Sequence, residues 1–341
     1  MGAMSRTRTN RQPSMGDVAA AVGVSKTTIS RYLHGEFGYM SEETRERIAA
    51  VIDELGYRPN KMAQGLKATV SHMVGVTIAD IGNPFSSLLL KGIQQVCRSR
   101  DVQLLVSDSN NQVALERTNI ESLLDAQVDG LIVNTVGGDD AWLADYCASA
   151  DHRPMVLLDR IVEPIDCDCV STDNRAGVAM MLDHLLERGY GAVVFVTGPA
   201  EGVSTRTARI EGVESYLRDG RIDGEVLVYE DAATLPSTLP GVLGRYAGRR
   251  VCLFANNDET MRDLLETLPE SARGVVGLCA FADERWARYS GEGITCLDQN
   301  PVAMGRAAAT ALISRAYDGA DGPYEVTRMP ARLCVFASTR G

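Results

Sequence analysis

The sequence predicts a small all-α helix-turn-helix head followed by an α/β body of two doubly wound parallel-sheet lobes. Three observations carry this. Three short helical patterns, each opened by a serine, lie between Ser14 and Gly56. From Met73 onward, short β-branched runs alternate with helical segments, which implies right-handed crossovers and a parallel sheet. That alternation begins a second time at Arg175. A chain of 341 residues holds two or three domains, and 45% hydrophobic composition supplies a sizeable core. No apolar run approaches the ~18 residues of a membrane span.

Ser14 is the expected N-cap of a first helix ending near Ala21, because its side-chain oxygen can take an otherwise orphan amide. Val22-Gly23-Val24 supplies the turn, since glycine adopts φ > 0 without strain. Ser25 caps a second helix from Lys26 to Leu33. At 100° per residue, Thr28, Ile29, Tyr32 and Leu33 share one side, and Lys26, Thr27, Ser30 and Arg31 the other. The second face is short, polar and cationic, as a helix reading base edges in the major groove requires. The alternative is a generic three-helix unit whose cations are merely solvated. Ser41 opens a third helix with Glu42 and Glu43 in its first turn, where negative charge suits the macrodipole. Ile48, Val51, Ile52 and Leu55 form its apolar stripe, and Gly56 stops it.

Net charge is −11, which at first argues against nucleic acid. The distribution of charge argues the opposite. Residues 1–67 carry ten Lys or Arg against seven Asp or Glu, a net +3, leaving −14 for the remainder. The basic footprint is confined to the head, and the acidic body discourages non-specific coating of DNA.

In the body, Met73–Ile78, Gln103–Val106, Gly130–Val133 and Pro154–Leu158 read as strands. The helices between them open at Asn83-Pro84-Phe85, run from Glu116 to Ala126, and run from Ala141 to Ala150. The second set has helices at 175–188, 207–219 and 260–268, with strands at 192–197, 224–229, 251–255 and 274–279. A late helix at 302–317 and a last strand at 331–337 complete it. Two such lobes suggest a periplasmic-binding-protein-like body, with a ligand between the carboxyl ends of the two sheets.

Enzymatic readings find little support. The histidines at 34, 72, 152 and 184 are scattered, without triad or metal-ligand spacing. Gly137-Gly138 lacks the Lys-Ser/Thr of a phosphate-binding loop, so a sugar kinase with a fused head is disfavoured. No cofactor or metal is expected. The eight cysteines (97, 147, 167, 169, 252, 279, 296, 334) lack paired CxxC spacing and read as free core thiols. Met1 to Gln12 carries Arg6, Arg8 and Arg11 without an apolar stretch. It is expected to be a disordered basic arm and not a signal peptide, which implies a cytoplasmic protein with no membrane partner. A secreted solute-binding protein would share the body but need an export signal.

The chain resembles the LacI/GalR family of bacterial repressors over nearly its whole length. The matching residues are Asp17-Val18-Ala19, Gly23-Val24-Ser25, Thr28-Ile29-Ser30-Arg31, Ser41-x-x-Thr44-Arg45, Leu55-Gly56-Tyr57-x-Pro59-Asn60 and Ala63-x-x-Leu66. The resemblance implies a head at 1–59, a hinge at 60–71 and an effector-binding and dimerisation body at 72–341. The N-lobe would span about 72–171 and 301–327, and the C-lobe about 173–298 and 330–341, with three crossings between them. DNA contacts are implied at Ser25, Lys26, Thr27, Ser30, Arg31, Asn60, Gln64 and Leu66, on operator DNA held by a homodimer. Leu66 would wedge into the minor groove, and Gly65 makes the hinge a poor helix by itself.

Effector contacts are implied at Phe85, Asp159, Arg160, Asp173, Arg209, Asn257, Asp258, Trp286 and Gln299. Asp173 and Asp258 are also good N-caps, and Arg160 could instead pair with Asp159. One departure is informative. Relatives place an aspartate, a sugar-hydroxyl acceptor, where this chain has Ala282; Asp283 could act from one residue along. Its loss favours an anionic ligand beside Arg209 and Arg160. The run Gly277-Leu278-Cys279, Trp286 and Gly293-Ile294-Thr295 resembles the keto-sugar-acid branch of the family. A small sugar acid, 2-ketogluconate first, is therefore the expected effector, with other sugars or sugar acids, and release or co-repression, left open.

Overall fold

The computed structural model describes residues 13–57, 70–149, 152–162, 165–268 and 275–340. The arm 1–12 and the expected hinge contacts Asn60, Gln64 and Leu66 lie outside the described residues. The chain divides after Ser71 into two compact units.

In the first unit, α1 (Met15–Val22), α2 (Lys26–Leu33) and α3 (Glu42–Leu55) each begin at the expected serine. Ser14 and Asp17 form a capping box, in which the Asp17 amide donates to Ser14 Oγ at 3.3 Å and the Ser14 amide to the Asp17 carboxylate at 2.7 Å. Such reciprocal capping satisfies two orphan donors at once. Gly23 sits at φ 78° and Gly56 at φ 61°, the left-handed caps that end α1 and α3. Val18, Val22, Ile29, Ile48 and Tyr57 make a small core. A 3₁₀ turn at Phe37–Tyr39, not anticipated from the sequence, links α2 to α3.

Among the described residues, the second unit contains two six-stranded sheets. The N-lobe sheet comprises β1 (Met73–Ile78), β2 (Gln103–Asp108), β3 (Gly130–Val133), β4 (Met155–Leu158), β5 (Asp168–Thr172) and β11 (Val326–Met329). Their order is β11-β5-β4-β3-β1-β2, parallel throughout. The C-lobe sheet comprises β6 (Ala192–Thr197), β7 (Asp223–Val228), β8 (Val251–Ala255), β9 (Gly277–Phe281), β10 (Thr295–Asp298) and β12 (Arg332–Cys334). Here the order is β12-β10-β9-β8-β6-β7, and only β12 runs antiparallel, against β10. The chain passes between sheets after Thr172, after Asp298 and after Met329.

Helices cover both faces of each sheet: α4 (Pro84–Ser99), α5 (Val113–Asp125), α6 (Asp140–Ala148) and α12 (Pro301–Tyr317) on the N-lobe, α7 (Asn174–Glu187), α8 (Ser204–Arg218), α9 (Leu235–Arg245), α10 (Asp258–Thr267) and α11 (Glu284–Ala287) on the C-lobe. Each sheet accordingly has an apolar cluster on either side, as parallel sheets require. The eight cysteines are buried thiols within these clusters and their margins.

The sequence pattern does not reveal β5, β10, β11, α9 or α11. α9 contains Pro240, which argues against a helix locally; burial of Leu235, Leu239 and Val242 overrides that preference. The last strand is shorter than expected, because after Cys334 the chain turns into a 3₁₀ turn at Ala337–Thr339. There the Ser338 hydroxyl donates to the Leu278 carbonyl and accepts from the Thr295 amide.

α4 and α12 touch backbone to backbone. A Cβ on Gly92 would lie 2.1 Å from the Val302 carbonyl oxygen, and one on Gly305 2.1 Å from that of Leu89. Gly305→Ala must therefore push the two helices apart, with a stability loss of about 1–3 kcal/mol in urea unfolding. Gly241→Ala, in α9 where no atom lies within 4 Å of the added carbon, should be neutral or stabilising by about 0.5–1 kcal/mol. Equal effects from the two substitutions would contradict close helix contact.

Candidate functional site

Two surfaces collect the residues singled out by sequence. On α2, Ile29 is fully buried in the head core, which fixes the helix and leaves Lys26, Thr27 and Arg31 exposed with Ser30 partly so. Ser25 faces the helix instead, its hydroxyl accepting the Thr28 amide at 3.1 Å. The Arg31 guanidinium lies 5.3 Å from the centre of the exposed Tyr39 ring, an aromatic that sequence reasoning did not single out.

The second surface is the cleft between the ends of the two sheets. Its centre is Arg209, buried on α8. Its Nε donates to Asn174 Oδ1 at 2.7 Å, Nη1 to the Asn256 carbonyl at 2.5 Å, and Nη2 to Gln299 Oε1 at 2.8 Å. Its Cζ lies 3.8 Å from the centre of the Phe281 ring. Burial lowers its pKa to about 10, against the opposing pull of Asp159, so it remains a cation at neutral pH. Gln299 Oε1 also accepts from Thr172 Oγ1 at 3.0 Å, so this side chain positions the arginine.

Asp159 follows β4 in the left-handed region, at φ 72°. Non-glycine residues persist there only when their surroundings hold them, typically at functional sites. Here its amide donates to the Val170 carbonyl at 2.7 Å and its carbonyl accepts Ser171 Oγ at 2.5 Å. Its Oδ1 is buried without a hydrogen-bond partner, and desolvation raises its pKa. Arg160, within the attraction of the Asp159 carboxylate, donates from Nη1 to the carbonyls of Thr135 and Val136 at 2.9 and 2.5 Å. Burial lowers its pKa, as it does that of Arg206.

Asn257, not Asp258, caps α10, accepting the Thr260 amide at 2.9 Å. Asp258 Oδ1 instead accepts from Trp286 Nε1 at 2.6 Å and from the Asp283 amide at 3.3 Å. Burial lifts its carboxyl to about 6 despite those donors. Ala282 is buried. Asp283 next to it caps α11 and pairs with Arg285 at 2.6 Å, so its carboxylate is already engaged.

Phe85, Asp159, Arg160, Arg209, Asn257, Asp258 and Gln299 thus converge on a cavity of about 80 Å³. Trp286 borders an adjoining space of about 340 Å³ shared with Asp258. Asp173 stands apart: its carboxylate caps α7, accepting the Ala176 amide at 3.0 Å, and it lines a different cavity of about 440 Å³. The cavity also holds Asn83, Arg206, Asn256 and Phe281, which sequence reasoning missed. Arg206 lies one helical turn before Arg209, and Phe281 ends β9, so position at a strand or helix end was the available signal. Chemically, three guanidinium groups and two carboxylates face a small space, an excess of one positive charge when both acids are ionised. That suits an anion with hydroxyl donors to spare for Asp159.

A family model described as "Bacterial regulatory proteins, lacI family" matches residues 14–60, and one described as "Periplasmic binding protein domain" matches residues 74–319. The HTH-type transcriptional regulator PtxS of Pseudomonas plecoglossicida is 35% identical over 98% of each chain. The HTH-type transcriptional regulator KdgR of Bacillus subtilis is 30% identical over 97% of this chain and 98% of its own. Among solved structures, the Lac repressor dimer bound to operator and the anti-inducer ONPF superposes with a TM-score of 0.84 at 22% identity, covering 97% of this chain and 100% of that one.

The raised carboxyl of Asp258 predicts a signature in stability. An acid whose pKa is higher folded than unfolded contributes stability at low pH that is lost as pH rises through the folded value. Relative to Asp258→Asn, the ligand-free protein should therefore lose about 2–3 kcal/mol between pH 4 and pH 6 and little more above. A pH-independent difference between the two proteins would show that Asp258 titrates normally.

Proposed function

Because the chain belongs to the lacI family of bacterial regulatory proteins, we propose that it is a repressor released from its operator by a small sugar acid, 2-ketogluconate first. A ligand-responsive transcriptional regulator of this family is not an enzyme, and its cleft has only to bind and report. In the proposed reading two heads of a homodimer meet the halves of a near-palindromic site, with Lys26, Thr27 and Arg31 at base edges and Leu66 in the minor groove.

The convergence of Arg160, Arg206 and Arg209 on one small cavity carries the choice of ligand class. A neutral hexose would leave this excess charge uncompensated. A carboxylate gains charge-assisted hydrogen bonds, and alanine at 282 puts no further negative charge against it. The hydroxyls of the same molecule meet the unpartnered Asp159 Oδ1 and the amides of Asn257 and Gln299.

Calorimetry with 2-ketogluconate, gluconate and neutral hexoses tests this reading. Arg206→Gln keeps a polar side chain and should weaken sugar-acid binding by about 1.5–3 kcal/mol, while operator affinity without ligand stays unchanged. Tighter binding of a neutral hexose than of either acid would sink the proposal. Operator affinity that rises with ligand would replace release by co-repression.

For the head, Arg31→Ala should reduce operator binding by about 1–3 kcal/mol with a smaller loss on random DNA, as expected of a base contact. Equal losses on both DNAs would assign Arg31 to phosphate.

A further inference from the structure

The cavity and the first residue of the body are joined by one rigid pair of helices. α4 starts at the cavity with Asn83 and Phe85. α12 starts two residues after Gln299, the side chain bonded to Arg209. Between them the backbones are in contact at Gly92 and Gly305, with no side chain to cushion sliding. At 1.5 Å per residue, the 17 residues of α12 span about 25 Å.

The far ends of both helices are pinned at the same place. Arg100, just past α4, pairs with Asp318, just past α12, at 2.5 Å. The Tyr317 ring stacks on His72, with centroids 5.6 Å apart and planes 7° from parallel. The Tyr317 hydroxyl donates to the buried Asp129 carboxylate at 2.8 Å. His72 sits in the left-handed region at φ 55°, and its carbonyl accepts the Gln103 amide at 2.8 Å. His72 is the first residue of the body unit.

We infer that the α4–α12 pair transmits effector occupancy to the start of the body, and that Tyr317, anchored on Asp129, is the positioning residue that fixes the backbone direction at His72. This rests on the effector reading above. Occupancy of the cavity acts on Gln299 and Phe85 at one end of the pair. Because the two helices pack backbone to backbone and are pinned together at Arg100 and Asp318, the change arrives at the other end as a displacement of Tyr317 against His72. The left-handed backbone at His72 is held by the stacked ring and by the bond to Gln103.

Two substitutions test it. Tyr317→Phe keeps the ring and removes the bond to Asp129; His72→Asn tolerates the left-handed backbone and removes the stack. Operator affinity is read by fluorescence anisotropy at fixed salt with and without saturating 2-ketogluconate, and 2-ketogluconate affinity by calorimetry. Both variants should bind each ligand alone within about twofold of wild type, while the factor by which one weakens the other, about 5- to 150-fold in typical allostery, collapses towards one. A factor equal to that of wild type in both variants overturns the inference and leaves the effector reading standing. Should Tyr317→Phe fail to fold once its bond to Asp129 is removed, His72→Asn decides alone, because His72 is exposed. A wild-type protein whose operator affinity ignores 2-ketogluconate would remove the effector reading, and with it the inference.

Discussion

The burial of one guanidinium organises the body. Arg209 is withdrawn from water, which costs several kcal/mol unless its donors are met. Its donors are met by Asn174 at the first crossing between sheets, Gln299 at the second and Asn256 at the end of β8, while the Phe281 ring at the end of β9 covers its face. An arginine has five donors in a fixed fork, so this geometry is satisfied only when both crossings are correctly placed. Arg209 therefore ties the second crossing, at Gln299, to the ends of the C-lobe elements.

Asp159 is the counterpart of that arrangement. Its backbone is held left-handed while one carboxylate oxygen stays buried and unpaired. Such a group destabilises the empty protein, since an unmet buried acceptor costs about 1–3 kcal/mol. A ligand hydroxyl that meets it recovers that cost on binding. Differential affinity between two lobe arrangements is all that a ligand needs to shift them, and a donor for Asp159 that only an occupied cleft supplies is one source of it.

Much of this was legible in the sequence, for identifiable reasons. Ser14, Ser25 and Ser41 mark helix starts because capping is local chemistry, and Gly23 and Gly56 mark ends because only a left-handed residue fits there. β1, β3, β6 and β8 stand out as β-branched runs. β5 does not: its five residues include Asp168, Ser171 and Thr172, and they are strand because β4 and β11 flank them. Within the cleft, Asp159, Arg209 and Gln299 were expected from the sequence, and they line one cavity. Asn257 and Asp173 cap their own helices by local chemistry, whereas the bonds of Arg160 to the carbonyls of Thr135 and Val136 depend on tertiary neighbours. For Arg206 the only signal was its place one turn before Arg209, since its approach to the cavity depends on tertiary neighbours.

The central claim is that the arginines around this cavity take a carboxylate. The most direct test is a crystal structure of the full chain with 2-ketogluconate. The account predicts the carboxylate within about 2.7–2.9 Å of guanidinium nitrogens from among Arg160, Arg206 and Arg209, with a sugar hydroxyl donating to Asp159 Oδ1. A bound molecule whose carboxylate points to solvent, leaving Asp159 unpartnered and the guanidinium groups facing neutral hydroxyls, would contradict it.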